Sequence, residues 1–353
     1  AVTVIASEIP WSGQGCFEKL EYPSDLYEYS MARITKTPDG FSYDFSVMKR
    51  YIALCEKYGI RDEIEVFGLL NVWVYKHGAF QKVSEALSDA WRIRYCENGT
   101  YHYMRTEEEI KSYITALYDF FVQNGYIGRV RVLADEPGDV ALYKKRLDFI
   151  LGCGAGYQLK AAVNKPDFIL EFDDKISDLV PIFSSICAEH GEFRNIQSKI
   201  KGKMCWYVCC GPAYPNTFIR SPLHETRLIP YMTKWLGLDG FLRWNYTVWP
   251  ENPRTRLSYF SEAFQSGDMN FVYPSNRGTP LKSLRYMALK RIAVEFEMLC
   301  TVKQEVLAEV LDLIIREKDL SVYFQPERYD RSTLYSLTYD DYNKAKRILL
   351  MHS

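Results

Sequence analysis

The sequence predicts an α/β fold, a (β/α)8 TIM-like barrel with C-terminal helices. Three observations lead there. Short β-branched or apolar runs alternate with segments whose apolar residues recur at helical spacing, and that alternation over 353 residues implies a parallel sheet. No G-x-G-x-x-G follows the first strand, which argues against an open dinucleotide-binding sheet. Residues capable of chemistry also fall at predicted strand ends all along the chain: Asn71, Asp135 and Glu136, Trp206 and Tyr207, and Arg243, Trp244 and Asn245. A closed barrel gathers such ends at one mouth, whereas an open sheet spreads them.

The elements follow in order. VTVIAS (2–7) is a β-branched strand that ends in the turn-rich EIPWSGQG. EYSMARI and GFSYDF flank TPDG (37–40), a hairpin-like excursion. Val47, Met48, Tyr51, Leu54, Cys55 and Tyr58 lie at helical spacing, and Gly59 stops that helix. EIEVFGLLNVW (63–73) is the next strand. A second excursion, 91–105, turns at Asn98-Gly99, and Thr106 with Glu109 forms a capping box for the helix striped by Ile110, Tyr113, Ile114, Leu117 and Phe121. RVRVLA (129–134) is a strand, and Val140, Tyr143, Leu147 and Ile150 stripe the helix after it. Strands are expected at 157–163, 178–185, 203–211, 239–249 and 268–275. Helices are expected at 189–200 and 221–237, from Leu281 to about Lys318, and again near the C-terminus.

Lys plus Arg number 44 against 45 Asp plus Glu, a balance that argues against nucleic acid or an anionic membrane as the main partner. No apolar run approaches the roughly 20 residues that span a bilayer. The opening residues carry no basic leader-like region. Nine scattered cysteines do not resemble a disulfide framework, and no C-x-x-C or H-E-x-x-H occurs, so neither a metal nor a cofactor is expected. The cysteines read as buried small hydrophobes. The 27 Tyr, 19 Phe and 7 Trp exceed what a core needs, and sugar C–H faces stack on such rings.

The most informative stretch is RVRVLADEPGDV (129–140), where a strand runs into Asp135 and Glu136. Adjacent acids can simply cap a helix or face solvent. Here they precede Pro137-Gly138, and Asp139 is the better cap. Glycosidic cleavage ordinarily uses two carboxylates about 5 to 9 Å apart across the sugar, which sequence neighbours cannot easily supply. They suit a scheme in which the substrate brings its own nucleophile. A 2-acetamido oxygen attacks C1 to form an oxazoline, one carboxylate orients the acetamido N–H, and the other protonates the leaving oxygen and later deprotonates water.

The segments IPWSGQ (9–14), DGFSYDFSVMKRYI (39–52), LADEP (133–137), CWYVCCGPAYPNTF (205–218), DGFLRWNYTVW (239–249), GDMNFVYPS (267–275) and SLRYMALKRIAVEFEML (283–299) together resemble the catalytic domain of glycoside hydrolase family 123. That resemblance implies a (β/α)8 barrel and retaining, substrate-assisted removal of β-linked N-acetylgalactosamine. Asp135 is then the acetamido-orienting acid and Glu136 the general acid/base, which would need a raised pKa. The implied partner is a glycan with a terminal 2-acetamido sugar. Strand 129–134 would be the family's fourth, which makes 63–70 the third and 2–7 the second. The barrel is therefore expected to be incomplete at its N-terminus or closed by another segment, 268–275 being the candidate. The expected organisation is a catalytic domain at 1–318, without the family's upstream β-sandwich, and a helical extension at 319–353.

Supporting residues follow from position. Trp206 and Tyr207 alternate, so only one faces inward at a given level, and Tyr207 is favoured as the donor to the acetamido oxygen. Trp244 and Trp249 suit sugar stacking, with core packing as the other reading. Trp11, Gln14, Asn71 and Trp73 lie after strands and can shape a subsite. Arg243 suits a sugar hydroxyl or a carboxylate of the site, and Asn245 sits beside it. Two other readings remain: a β-N-acetylhexosaminidase of different sugar preference, and a carbohydrate-binding barrel without catalysis. Free cysteines lean cytoplasmic and the family leans toward export, so the compartment stays open.

Overall fold

A computed structural model describes residues 1–10, 27–28, 30–70, 91–137, 140–164, 175–247, 249 and 264–352. The described residues divide into two compact units. Those up to Val163, with 175–178, form the first; Asn164 and those from Leu179 onward form the second.

In the first unit, β1 (Val2–Ile5) buries alternate residues, Val2 and Val4. β2 (Arg33–Thr37) and β3 (Gly40–Asp44) form the first expected hairpin. α1 (Ser46–Lys57) buries Met48 and Ile52. β4 (Ile64–Phe67) is followed by the second hairpin, β5 (Arg94–Glu97) and β6 (Thr100–Tyr103). Its turn holds Asn98 at φ 50° and Gly99 at φ 79°, the left-handed pair that Asn-Gly supplies at least cost. β2 and β5 pair, which joins the two hairpins into a four-stranded sheet. α2 (Glu107–Gln123) carries the expected capping box: Thr106 Oγ1 accepts from the Glu109 N–H at 3.2 Å, and the Glu109 carboxylate accepts from the Thr106 N–H at 3.3 Å.

β7 (Val130–Asp135), α3 (Val140–Cys153), β8 (Gln158–Val163) and β9 (Ile176–Pro181) continue the alternation. The main sheet runs β1-β4-β7-β8-β9, each strand beside its predecessor, and the registered pairs are parallel. One face is apolar: Val66, Val132, Ala134, Leu159 and Ala161 are wholly buried. The other face is polar. Register sets Thr3, Glu65 and Arg131 abreast. Thr3 donates to Glu65 at 2.9 Å, and Lys160 Nζ reaches Glu63 at 2.5 Å and Glu65 at 2.7 Å. Arg131 pairs with Asp178. Charges so enclosed persist only when paired, which explains why Lys160 stands between two carboxylates.

The strand expected at 178–185 is corrected. It ends at Pro181, which has no N–H to extend the ladder, and α4 (Phe183–Ala188) begins immediately. Phe183, Ile186 and Cys187 are buried at helical spacing.

In the second unit, α5 (His190–Gln197) leads to β10 (Cys205–Tyr207), α6 (Leu223–Trp235) and β11 (Gly240–Leu242). β10 and β11 are parallel, and the bridges Leu179↔Met204 and Ile182↔Tyr207 are parallel too. The segment expected to close a barrel does otherwise. Only β12 (Val272–Tyr273) is strand, and it pairs antiparallel with β13 (Leu281–Lys282). The intervening turn is held by Ser275, whose hydroxyl donates to the Thr279 carbonyl and accepts from the Arg277 N–H. Such a short return brings the chain back on the same strand's edge. Among the described residues no pairing closes a barrel, and the fold is mixed α/β with a parallel sheet and C-terminal helices.

α7 (Leu284–Thr301) and α8 (Gln304–Ile314) are the two pieces of the expected long helix, and α9 (Arg331–Leu334) and α10 (Tyr339–His352) follow. The residues beyond 319 are tied to α6. Glu225, 1 % exposed, accepts from the Tyr335 hydroxyl at 2.9 Å and from the Asn216 N–H at 3.0 Å, and pairs with Arg331 at 3.1 Å. Arg227 pairs with Glu295 at 2.8 Å.

Candidate active site

Asp135 is the last residue of β7, and Glu136 is the first beyond it. Strand alternation sets Asp135 on the polar face with Arg131 and Leu133, since Val132 and Ala134 occupy the apolar one. Continued alternation would send Glu136 to the apolar face. It does not continue, because Glu136 adopts φ 41°, in the left-handed region that a side chain this size rarely enters. Its N–H still donates to the Ala162 carbonyl at 2.9 Å, so the kink begins at the residue and not before it. Strained backbone of this kind is concentrated at functional positions. Both acids are half-buried, and Pro137 behind them is buried.

Burial pushes the Asp135 carboxyl up to about 7, with further upward pushes from Glu136 and from Glu65. A group poised there holds or releases a proton near neutrality. The raised carboxyl is thus the one expected to orient the substrate.

At the end of β1 stands a third carboxylate, missed by sequence reading. Glu8 is 3 % exposed, accepts from the Tyr103 hydroxyl at 2.6 Å and pairs with Arg94 Nε at 2.7 Å. Its place just after a strand was the available signal; the turn-rich EIPWSGQG around it hid it.

In the second unit Trp206 and Tyr207 take opposite faces, as alternation requires. Trp206 is 1 % exposed, packs edge-on against Phe241 and tilted against Phe183, and donates its indole N–H to Thr233 Oγ1 at 2.8 Å. That is core packing, beside a small internal cavity also lined by Val208, Asn216, Glu225 and Phe241. Tyr207, on the other face, is also buried.

Arg243 binds a carboxylate, but one not anticipated. Its guanidinium pairs with Asp268, donates to the Asp268 carbonyl at 2.8 Å and reaches the Val208 carbonyl. Trp244 Nε1 donates to the same carboxylate at 3.2 Å. Asp268 is wholly buried. Burial raises its pKa, and Arg243 and Trp244 pull against that. Among the described residues its Oδ2 has no hydrogen-bond partner. Asn245 turns inward on its own loop, accepting from the N–H groups of Tyr246 at 2.7 Å and Thr247 at 3.2 Å. Trp249 donates to the Val272 carbonyl at 2.8 Å. Arg285 is buried and holds the carbonyls of Thr217, Gly267 and Asn270 at 2.6 to 2.8 Å, a purely structural use.

Trp11, Gln14, Asn71 and Trp73 lie outside the described residues. Among the described residues, no cluster of three or more His, Cys, Asp or Glu is arranged to hold a metal ion, and no helix is long and apolar enough to cross a membrane.

Comparison with known proteins agrees with this architecture. A family 123 glycoside hydrolase from Clostridium perfringens, described in a study of glycolipid glycan hydrolysis, has the same fold at a TM-score of 0.64 and 17 % identity. The likeness covers 99 % of this chain and 60 % of that one, so this chain spans about 60 % of that protein's length. A β-D-glucuronidase from Dictyoglomus thermophilum is far looser, with TM-score 0.33, 9 % identity, and coverage of 76 % of this chain and 56 % of the other, and carries no argument. No curated protein matches the sequence. The model of the glycoside hydrolase 123 catalytic domain matches residues 1–302, a span that includes the strand-end acid pair, and the chain therefore belongs to that family.

Proposed function

We propose that this protein is a retaining exo-β-N-acetylgalactosaminidase that works through an oxazoline formed by the substrate's own acetamido group. The observation that carries the reading is the acid pair itself, with Asp135 raised to about 7 and Glu136 released from strand alternation by its left-handed backbone. In the free protein Asp135 retains its proton into the neutral range. An acetamido N–H set against Asp135 favours its ionised form. Asp135 aligns the acetamido group for attack on C1, and Glu136 protonates the leaving oxygen. Water then opens the oxazoline, with Glu136 as base.

The fold is taken as a (β/α)8-type barrel, which the in-order parallel strands support. Because the C. perfringens protein was studied for glycolipid glycan hydrolysis, glycolipid glycans are the natural substrates to try first, those ending in N-acetylgalactosamine on the present reading.

The test uses aryl β-N-acetylgalactosaminides. Glu136→Gln should lower kcat/KM by about 10²- to 10⁴-fold, the usual yield of a general acid. A thiazoline analogue should inhibit competitively. Equal turnover of an aryl β-galactoside lacking the acetamido group would remove the oxazoline path.

A further inference from the structure

One exposed tyrosine is held more rigidly than a surface ring needs to be. Tyr101 lies on β6, the edge strand of the hairpin sheet, and is 63 % exposed. The Arg94 guanidinium stands over its ring, 4.4 Å from the centre. Arg94 is itself fixed, because its Nε pairs at 2.7 Å with the buried Glu8, which also accepts from the Tyr103 hydroxyl. Burying a carboxylate is costly, and here it secures a cation against an exposed aromatic ring.

The surrounding face suits one kind of occupant. Strand alternation puts Arg94, Cys96, Tyr101 and Tyr103 on the same face of the sheet. Register sets Tyr101, Cys96, Thr35 and Ser42 abreast, one on each strand. Thr35 and Ser42 are exposed, so the row leads from an aromatic ring to two hydroxyls over about 14 Å, three strand spacings. Cys96 is half-buried, and Cys210 and Cys300 are exposed, so the cysteines are not all the buried hydrophobes expected. The opposite face is already used: Ile34 is buried, and the Tyr43 hydroxyl shares a hydrogen bond with Ser112 of α2 at 2.6 Å. Glu8 answers the charge of Arg94, and the exposed Arg33 and Asp44 stand abreast, so neither sign dominates. The sheet is also rooted at the catalytic edge. Glu8 lies beyond β1 as Glu136 lies beyond β7, at the same end of parallel strands, and its N–H donates to the Arg92 carbonyl at 2.9 Å.

We propose that this face is a glycan-binding platform, where the Tyr101 ring stacks on the C–H face of a sugar and the Thr35 and Ser42 hydroxyls meet hydroxyls of the same uncharged oligosaccharide. Because Glu8 and Arg94 have already fixed the ring, binding there orders little. The platform rests on the chain's membership of a glycoside hydrolase family and not on the oxazoline step.

Binding is read by calorimetry in the Glu136→Gln protein, so that turnover does not enter. The probes are an uncharged tetrasaccharide ending in β-linked N-acetylgalactosamine and free N-acetylgalactosamine. Tyr101→Ala on that background should weaken the tetrasaccharide roughly tenfold and leave the monosaccharide unchanged. Tyr101→Phe keeps the ring and should bind the tetrasaccharide as the parent does. Both variants should keep the parent's urea midpoint, since the side chain is exposed. Absence of tetrasaccharide binding, an affinity that Tyr101→Ala leaves unchanged, or an equal loss for both probes overturns the platform. Tetrasaccharide binding that depends on Tyr101, with no binding of the monosaccharide, upholds the platform and counts against the function proposed above.

Discussion

Two carboxyls, the half-buried Asp135 of the first unit and the wholly buried Asp268 of the second, differ in how the chain treats them. Burial is the largest influence on both and raises both. For Asp268 the fold supplies opposition, because Arg243 pairs with it and Trp244 donates to it. For Asp135 the next influences, Glu136 and Glu65, push the same way as burial. The first arrangement is how a protein keeps a charge enclosed at tolerable cost. In the second, the neighbouring carboxylates add to the effect of burial and favour the protonated form. Native sites commonly hold such destabilised groups, at some loss of stability. The comparison teaches that burial alone does not separate a carboxyl opposed by a cation from one whose neighbours add to the effect of burial; the sign of the second-largest influence does.

The most damaging test of this contrast is Asp135→Asn. Activity on an aryl β-N-acetylgalactosaminide should fall about 10²-fold or more, while the protein becomes more stable. The sign follows from proton binding. The unfolded chain releases the Asp135 proton near 3.8, and the folded chain keeps it up to about 7. Stability therefore falls as pH rises between those values, and the deficit persists above them, at most about 4 kcal/mol. Urea unfolding of wild type and variant should nearly coincide at pH 4 and separate by pH 8. Equal separation at both pH values would show that Asp135 holds no such proton.

Arg243→Met attacks the compensated partner. It leaves Asp268 enclosed without its cation and should cost about 3–5 kcal/mol in urea unfolding at pH 7. Adding Asp268→Leu should recover part of that loss, since no buried charge remains. Strictly additive losses would mean the pair is not coupled. The smallest effect sharpens the comparison from outside both regions: Thr106→Ala removes one half of a capping box and should cost about 1 kcal/mol, with activity unchanged.

Much of the first unit was legible because its signals are local. The capping box spans four positions, and the Asn98-Gly99 turn needs only two residues that tolerate positive φ. The expected α2 stripe of Ile110, Tyr113, Ile114, Leu117 and Phe121 is the set found buried. Pro181, which has no N–H, ends β9 four residues short of the expected 185. The acid pair was legible as a position. Its conformation was not, because nothing in a glutamate predicts φ 41°.

The sequence by itself determined the strand–helix alternation, the two hairpins, the helix caps and the family to which the chain belongs. These follow from residues a few positions apart, whose preferences act whatever the rest of the chain does. Only the tertiary structure decided which carboxyl is raised, that Arg243 pairs with Asp268, that Glu8 is a clamped carboxylate, and that 268–275 returns on 281–282. Each of these joins residues brought together by folding, 25 apart for Arg243 and Asp268. The strength of a charge there depends on water excluded by the whole fold, which no short stretch of sequence contains.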